Sequence, residues 1–276
     1  MWSLPEERPA LMGILNVTPD SFSELGVNFN KSDAIIAAER MIEAGADIID
    51  VGGESTRPGA APVSVDDEIR RVAPVIESIA KLGVPISIDT RKAEVARIAL
   101  GLGAAIVNDV SALGDPEMAM RCIEHGCYVC LMHMKGEPQT MQHSPTYEDV
   151  VQEVYDYLLA RASFAEKCGI DQGKVWLDPG FGFGKTGQHN YRLLHAIPRF
   201  VASAFPILIG VSRKSFIGAL SSAPVDKRLP GTLAAQVLAQ ATGAKIIRAH
   251  DVAEARQAID VAATILKPSL FSTRPA

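Results

Sequence analysis

Asp89, Asn108 and Asp178 each close a short apolar run, in ISID, AAIVND and KVWLD. Two carboxylates and an amide from three separate segments suit a flat polar heterocycle, gripped through its ring N–H and amino groups. Further along, VSRKS (211–215) and RAHD (248–251) supply Ser212, Arg213, Lys214, Ser215, Arg248 and His250. A cationic cluster of this kind suits an anionic, phosphorylated ligand. Other uses remain open at the level of residue types. Lys214 also suits a Schiff base, Arg213 a solvated charge, His250 a structural hydrogen bond, and any polar residue at a strand end can simply cap the next helix.

The stretch DPGFGFGKTG (178–187) has the look of a phosphate loop, with G-x-G-x-x-G from Gly182 to Gly187 and a Walker-like Gly184-Lys185-Thr186. The chemistry argues against both patterns. A Walker loop needs glycine where this chain has Pro179, which has no N–H to offer a phosphate. A dinucleotide loop should open a domain and be followed about 20 residues later by an acidic group, whereas 203–209 read SAFPILI.

Two segments rich in turn formers, VTPDSFSELGVNFN (17–30) and ESTRPGAAPVS (54–64), are long enough to be lids or binding elements. Asn16 precedes the first and suits either a structural hydrogen bond or Mg²⁺ held mainly by ligand phosphate and water. Arg57 can reach an anion, and Phe22 and Phe183 can wall an aromatic acceptor or merely pack.

The elements that must position these groups follow from eight apolar runs: 10–16, 47–53, 85–89, 104–109, 127–133, 174–178, 206–212 and 244–250. Each finishes in a polar residue: Asn16, Glu54, Asp89, Asn108, His133, Asp178, Ser212 and Arg248. The mean spacing is about 33 residues, one β-α-β unit. Between the runs, Ile35, Ala38 and Ile42, and later Val252, Ala255, Ile259 and Ala262, recur at helical steps. Gly83, Gly101 and Gly243 are expected as left-handed helix ends, and Pro74 as a kink or break in 69–83. Continuously apolar strands are buried on both faces, and eight regular units predict a closed α/β (β/α)₈ TIM barrel over residues 1–276, with an open doubly wound sheet as the alternative.

The chain has 276 residues, 47% hydrophobic, with a formal net charge of −5 and no basic block, so a nucleic-acid partner is not expected. No cationic leader and no run of about 18 apolar residues is present, which predicts a cytoplasmic protein without a membrane span. The four cysteines are too scattered for a disulfide framework, and Cys127 and Cys130 are expected as buried structural thiols rather than a redox or metal pair.

GILNVTPDSFS (13–23), GGESTRPGA (52–60), ISIDT (86–90), VNDVSAL (107–113), LMHM (131–134), DPGFGFGK (178–185), SRKS (212–215) and RAHDV (248–252) closely resemble the dihydropteroate synthase family across nearly the whole chain. The resemblance implies a homodimeric barrel that joins 6-hydroxymethyl-7,8-dihydropterin pyrophosphate to p-aminobenzoate with Mg²⁺, releases pyrophosphate, and is inhibited by sulfonamides. It places the pterin at Asp89, Asn108, Met132, Asp178, Lys214 and Arg248. Pyrophosphate and metal fall at Asn16, Arg248 and His250. The aminobenzoate falls at Phe22, Thr56, Arg57, Pro58, Phe183 and Ser215. Catalysis would rest on Lys214, Arg248 and His250, which stabilise departing charge, with Glu24 beside the pterin cation or the amine. SFSELG departs from the family's usual SFSD followed by glycine, so that Glu24 stands where aspartate is common. Two related readings are a methyltetrahydrofolate-binding barrel of corrinoid methyltransferases and a non-catalytic pterin-binding paralogue.

Overall fold

The computed structural model describes residues 2–18, 31–55 and 59–273. Among these, eight parallel strands form one sheet: β1 (Ala10–Asn16), β2 (Ile48–Gly52), β3 (Ile86–Asp89), β4 (Ile106–Asp109), β5 (Tyr128–Met132), β6 (Val175–Asp178), β7 (Leu208–Ile209) and β8 (Ile246–Ala249). β1 pairs with both β2 and β8, and a parallel bridge from Leu177 to Ile207 joins β6 to the residue before β7. The ring is thereby nearly closed. The open doubly wound alternative is set aside.

Strand side chains alternate between two apolar environments, which is why the runs look continuously hydrophobic. Ala10, Met12, Ile48, Ile106, Cys130, Trp176, Leu208 and Ile246 form the inner cluster, against which Trp2, Leu4 and Tyr128 pack. Tyr128 donates its hydroxyl to Trp2 O at 2.9 Å. Leu11, Ile49, Val51, Val107, Val129, Leu131, Val175, Leu177 and Ile247 belong to the outer core, with the helices. The two-residue period therefore carries the inward row of β2, β4, β6 and β8 onto Asp50, Asn108, Asp178 and Arg248, and the inward row of β3 onto Asp89.

The helices are α1 (Lys31–Glu43), α2 (Val65–Ile79), α3 (Ala93–Gly101), α4 (Met118–His125), α5 (Val150–Cys168), α6 (Gly187–His195), α7 (Ile197–Val201), α8 (Ser215–Ala219), α9 (Leu229–Ala241) and α10 (Val252–Leu266). In α10 the expected Val252, Ala255, Ile259 and Ala262 face is buried. Pro74 does not break α2, which runs through it with Val72, Val75, Ile76 and Ile79 buried. One missing N–H is offset by that apolar face. Gly83 and Gly243 have positive φ as expected, but Gly101 is the last residue of α3 and the left-handed position falls on Gly103, at φ +111°. All four cysteines are free. Cys122 and Cys127 hydrogen-bond each other, a contact that together with burial raises the Cys122 thiol well above its ordinary value. Cys122, Cys127 and Cys130 are buried, and Cys168 is half-buried.

Candidate active site

The C-terminal ends of the strands gather the polar side chains that interrupt the apolar runs. Asp89 and Asn108 are register partners across β3 and β4, and Met132 and Asp178 across β5 and β6. All four are buried. Arg248, one step before the end of β8, reaches across the mouth and donates from Nε to Asp50 Oδ2 at 2.6 Å and from Nη2 to Asp89 Oδ2 at 2.7 Å. Asn108 Nδ2 donates to the same Asp50 oxygen at 3.1 Å. Four strands are thus tied into one polar layer above the apolar interior.

Electrostatics follow from this burial. Burial drives the Asp89 carboxyl up to about 7; Arg248 opposes that rise and Asp50 adds to it. Burial by itself would lower Arg248, yet Asp50 and Asp89 outweigh it and hold the guanidinium above its ordinary value. Asp178 is raised by burial, while the Gly180 N–H, 2.7 Å from its Oδ1, and the charges of Lys214, Arg248 and Lys185 favour the carboxylate. Asp89 and Asp178 are thus both raised above the ordinary carboxylate value by burial, at positions where a ligand's N–H groups could reach them.

Two loops complete the rim. After β7, Ser212 Oγ lies 3.0 Å from His250 Nδ1 and accepts from the His250 N–H at 3.2 Å, fixing the imidazole at the end of β8. Arg213, at φ +56°, turns away and pairs with Asp251, so the solvated-charge reading fits it better than anion binding. Lys214 crosses instead to the β6–α6 loop, with its Nζ 4.2 Å from the centre of the Phe183 ring. Gly182 makes this crossing possible, since a Cβ there would meet Lys214 Cδ at 3.2 Å. Ser215 opens α8 and is exposed. Within VNDVSAL, Asp109 is a turn organiser: its carboxylate accepts from Ser111 N, Ser111 Oγ and Leu113 N.

Asn16 stands at the end of β1, opposite Gly52 in β2. A Cβ at Gly52 would lie 3.7 Å from Asn16 Oδ1 and 3.8 Å from Asp89 Oδ2, so the missing side chain leaves a small cradle between the two oxygens. Among the described residues no group of three or more His, Cys, Asp or Glu side chains could hold a metal ion. One amide oxygen fits Mg²⁺ only in the manner in which it takes its remaining ligands from phosphate and water.

The expected Asn16, Asp89, Asn108, Met132, Asp178, Phe183, Lys214, Ser215, Arg248 and His250 are thus all placed at the strand ends or on the loops that follow them. Phe22, Glu24, Thr56, Arg57 and Pro58 lie outside the described residues. Three participants were not singled out from sequence: Asp50, Ser212 as the partner of His250, and Lys185 as a structural cation. The signal for Asp50 was available, because a charged residue inside DIIDVGG and two positions before an inward glycine must face the barrel interior.

A fold of this kind with a polar layer at its strand ends defines a class of barrel enzymes, and comparison identifies which. Residues 12–250 match the family model described as Pterin binding enzyme. The Escherichia coli dihydropteroate synthase is 51% identical over 260 residues, 94% of this chain and 92% of that protein. The Yersinia pestis dihydropteroate synthase in complex with a sulfonamide drug superposes with a TM-score of 0.90 at 42% identity, covering 99% of this chain and 97% of that one. The Burkholderia cenocepacia dihydropteroate synthase complexed with 7,8-dihydropteroate gives 0.87 at 42% identity, covering 99% and 96%. The chain belongs to the pterin-binding enzymes, and within them to the dihydropteroate synthases.

Proposed function

We propose that the chain joins 6-hydroxymethyl-7,8-dihydropterin pyrophosphate to p-aminobenzoate, releasing pyrophosphate and forming 7,8-dihydropteroate, at the mouth of the barrel. The observation that carries this reading is the buried layer in which Asp89, Asn108 and Asp178 stand on three strands of one wall, with Arg248 bonded to Asp89. Such a wall offers acceptors and an amide to the edge of a pterin. Met132, register partner of Asp178, supplies apolar contact beside it.

Departure of pyrophosphate from the pterin methylene leaves a cation delocalised into the ring, so the weakly basic aniline needs little activation. Lys214, Arg248 and His250 stabilise the departing charge, and Ser212 holds the His250 ring for that task. Mg²⁺, held by Asn16 together with the pyrophosphate oxygens and water, would add charge neutralisation to the leaving group. Phe183, beneath the Lys214 ammonium, walls the aminobenzoate together with Ser215 and the two segments that carry Phe22 and Thr56, Arg57 and Pro58. Positioning the amine against the methylene carbon is then the main task left to the protein. Sulfonamides, which mimic aminobenzoate, compete for the same pocket.

The anionic-ligand cluster favours this condensation over methyl transfer from a methyltetrahydrofolate, which has no pyrophosphate to release. The four free thiols support a reducing, cytoplasmic setting, and no described helix is long and apolar enough to cross a membrane. Exposed Leu238, Val261 and Ile265 on α9 and α10 support a homodimer through that face.

The deciding experiment measures pyrophosphate release by the purified protein with Mg²⁺ and dihydropterin pyrophosphate, with and without p-aminobenzoate. Release that depends on the amine is expected. Pterin binding without release would move the chain to a non-catalytic role.

A further inference from the structure

Lys185 is only 3% exposed, and all four of its hydrogen-bonding contacts are neutral. Its Nζ lies 2.9 Å from Gly180 O, 3.0 Å from Phe183 O, 3.3 Å from His133 O and 2.9 Å from His133 Nδ1. A lysine buried among neutral acceptors is a costly way to fill space: burial lowers its pKa from 10.5 to about 7, and the Asp178 charge opposes that fall only in part. An apolar side chain of similar length would pack at lower cost. What the lysine provides is a set of donors that ties the loop carbonyls of Gly180 and Phe183 to His133.

That loop is held on every side. Gly180, Gly182 and Gly184 take positive φ of +69°, +80° and +62°. Lys185 takes the carbonyls of Gly180 and Phe183, Gln142 Nε2 donates to Gly182 O, and the Tyr147 hydroxyl donates to Gly184 O at 2.8 Å. On the donor side, Gly180 N–H is taken by Asp178 and Gly182 N–H by Asn190 Oδ1, each at 2.7 Å. Lys185 links the two halves of this loop to His133, the residue that follows β5, through its carbonyl and ring. The loop leaves Asp178 at one end and presents Phe183, with Lys214 over its ring, near the other.

We propose that Lys185 is a positioning residue of the condensation: its buried ammonium fixes Phe183 relative to Asp178, and so sets where the aromatic amine meets the pterin. This rests on the function proposed above. The Lys185 charge also favours the ionised form of Asp178. His133 Nδ1 accepts a hydrogen bond from the Lys185 amine, which assigns the imidazole's own proton to Nε2. The His133 ring is packed edge-on against Tyr157, with ring centres 4.9 Å apart. The clamp is therefore itself braced.

The test uses full-length Lys185→Met, which keeps the length of the side chain and removes every donor. A misplaced wall of the acceptor pocket should raise the KM for p-aminobenzoate about tenfold or more. Losing the Lys185 charge acts on Asp178, but Asp89 and Asn108 stand on other strands, so the Kd of a dihydropterin measured by calorimetry should rise several-fold less than the KM for p-aminobenzoate. A lower melting temperature with wild-type kcat and KM at 25 °C would make Lys185 structural only and overturn the proposal. So would equal losses for the two ligands. If Lys185→Met does not fold, Tyr147→Phe decides, since it releases Gly184 O from the same loop and should show the same aminobenzoate-selective loss. Wild-type protein is assayed in parallel; absence of amine-dependent pyrophosphate release there would defeat the functional reading rather than the assignment of Lys185.

Discussion

Asp50 Oδ2 lies 2.6 Å from Arg248 Nε, and the same oxygen accepts from Asn108 Nδ2 at 3.1 Å. One buried carboxylate oxygen therefore orients two residues of the layer proposed to receive the pterin, on β8 and β4, from its own place on β2. Asp50 is a positioning residue, and its removal should be felt at a ligand it orients others toward. Asp50→Ala leaves Asn108 without this acceptor and Arg248 with Asp89 alone. Breaking a buried pair of this kind costs about 3–5 kcal/mol of stability, and dihydropterin affinity should fall by about a hundredfold as the wall loses its geometry. Asp50→Asn, which keeps an acceptor, should lose about tenfold. Calorimetric titration with a dihydropterin checks both. Wild-type affinity in a folded Asp50→Ala protein would show that Asn108 and Arg248 hold their places unaided.

The glycines of DPGFGFGKTG should respond unequally to alanine. A Cβ at Gly180 would sit 1.9 Å from His133 O, at a φ of +69°, so Gly180→Ala must displace the strand end that carries His133 as well as strain its own backbone. At Gly187, the first residue of α6, nothing lies within 4 Å of the added methyl. Gly180→Ala should lower stability by at least about 3 kcal/mol and Gly187→Ala should stay within about 0.5 kcal/mol. Urea denaturation of the two variants settles the contrast, and similar midpoints would contradict it.

These cases show where sequence suffices and where it stops. The barrel was legible because parallel strands buried on both faces must read as unbroken apolar runs, and the polar residue ending each run marks the rim. Asp89, Asn108 and Asp178 were legible for the same reason. Asp50 was hidden by lying inside a run rather than at its end, although its two-residue offset from Gly52 carried the information. Lys185 was misleading in another way. A lysine after glycines suggests a phosphate reader, and only the fold of the loop turns its ammonium inward onto carbonyls. Pro74 and Gly101 were misplaced because local propensity was set against tertiary burial of α2 and α3, which prevailed.

His133 should make the protein sensitive to acid. Burial, followed by the neighbouring Lys185 charge, lowers its pKa from 6.5 to about 2, with Lys135 adding to the fall. A base whose folded pKa is depressed stabilises the native state while neutral. That contribution is complete above the unfolded value of 6.5 and is lost as pH falls toward 2. Between pH 6.5 and 5 this single group should remove about 2 kcal/mol. His133→Asn retains an acceptor for Lys185 without a titrating ring, so its stability should change less over that interval. Urea midpoints at both pH values give the comparison. Parallel losses in wild type and variant would assign the acid sensitivity to other groups.

The last helices provide the test of assembly. Leu238 on α9 is 68% exposed, and Val261 and Ile265, one turn apart on α10, are 55% and 72% exposed. α9 and α10 pack against each other, so these side chains stand on two neighbouring helices. Single exposed apolar residues are ordinary on a protein surface; three on two neighbouring helices make this face the one to test for the proposed homodimer. A twofold contact would bring the same residues together from both copies, which makes it especially sensitive to like charge. Leu238→Glu with Ile265→Glu should therefore convert a dimer to a monomer, read as a halved mass by sedimentation or light scattering. Both positions lie far out on the helix surface, so the fold of each barrel should persist, with the far-ultraviolet spectrum unchanged. A wild-type protein that already sediments as one chain, or a double variant that still sediments as two, would remove this face from consideration as the interface.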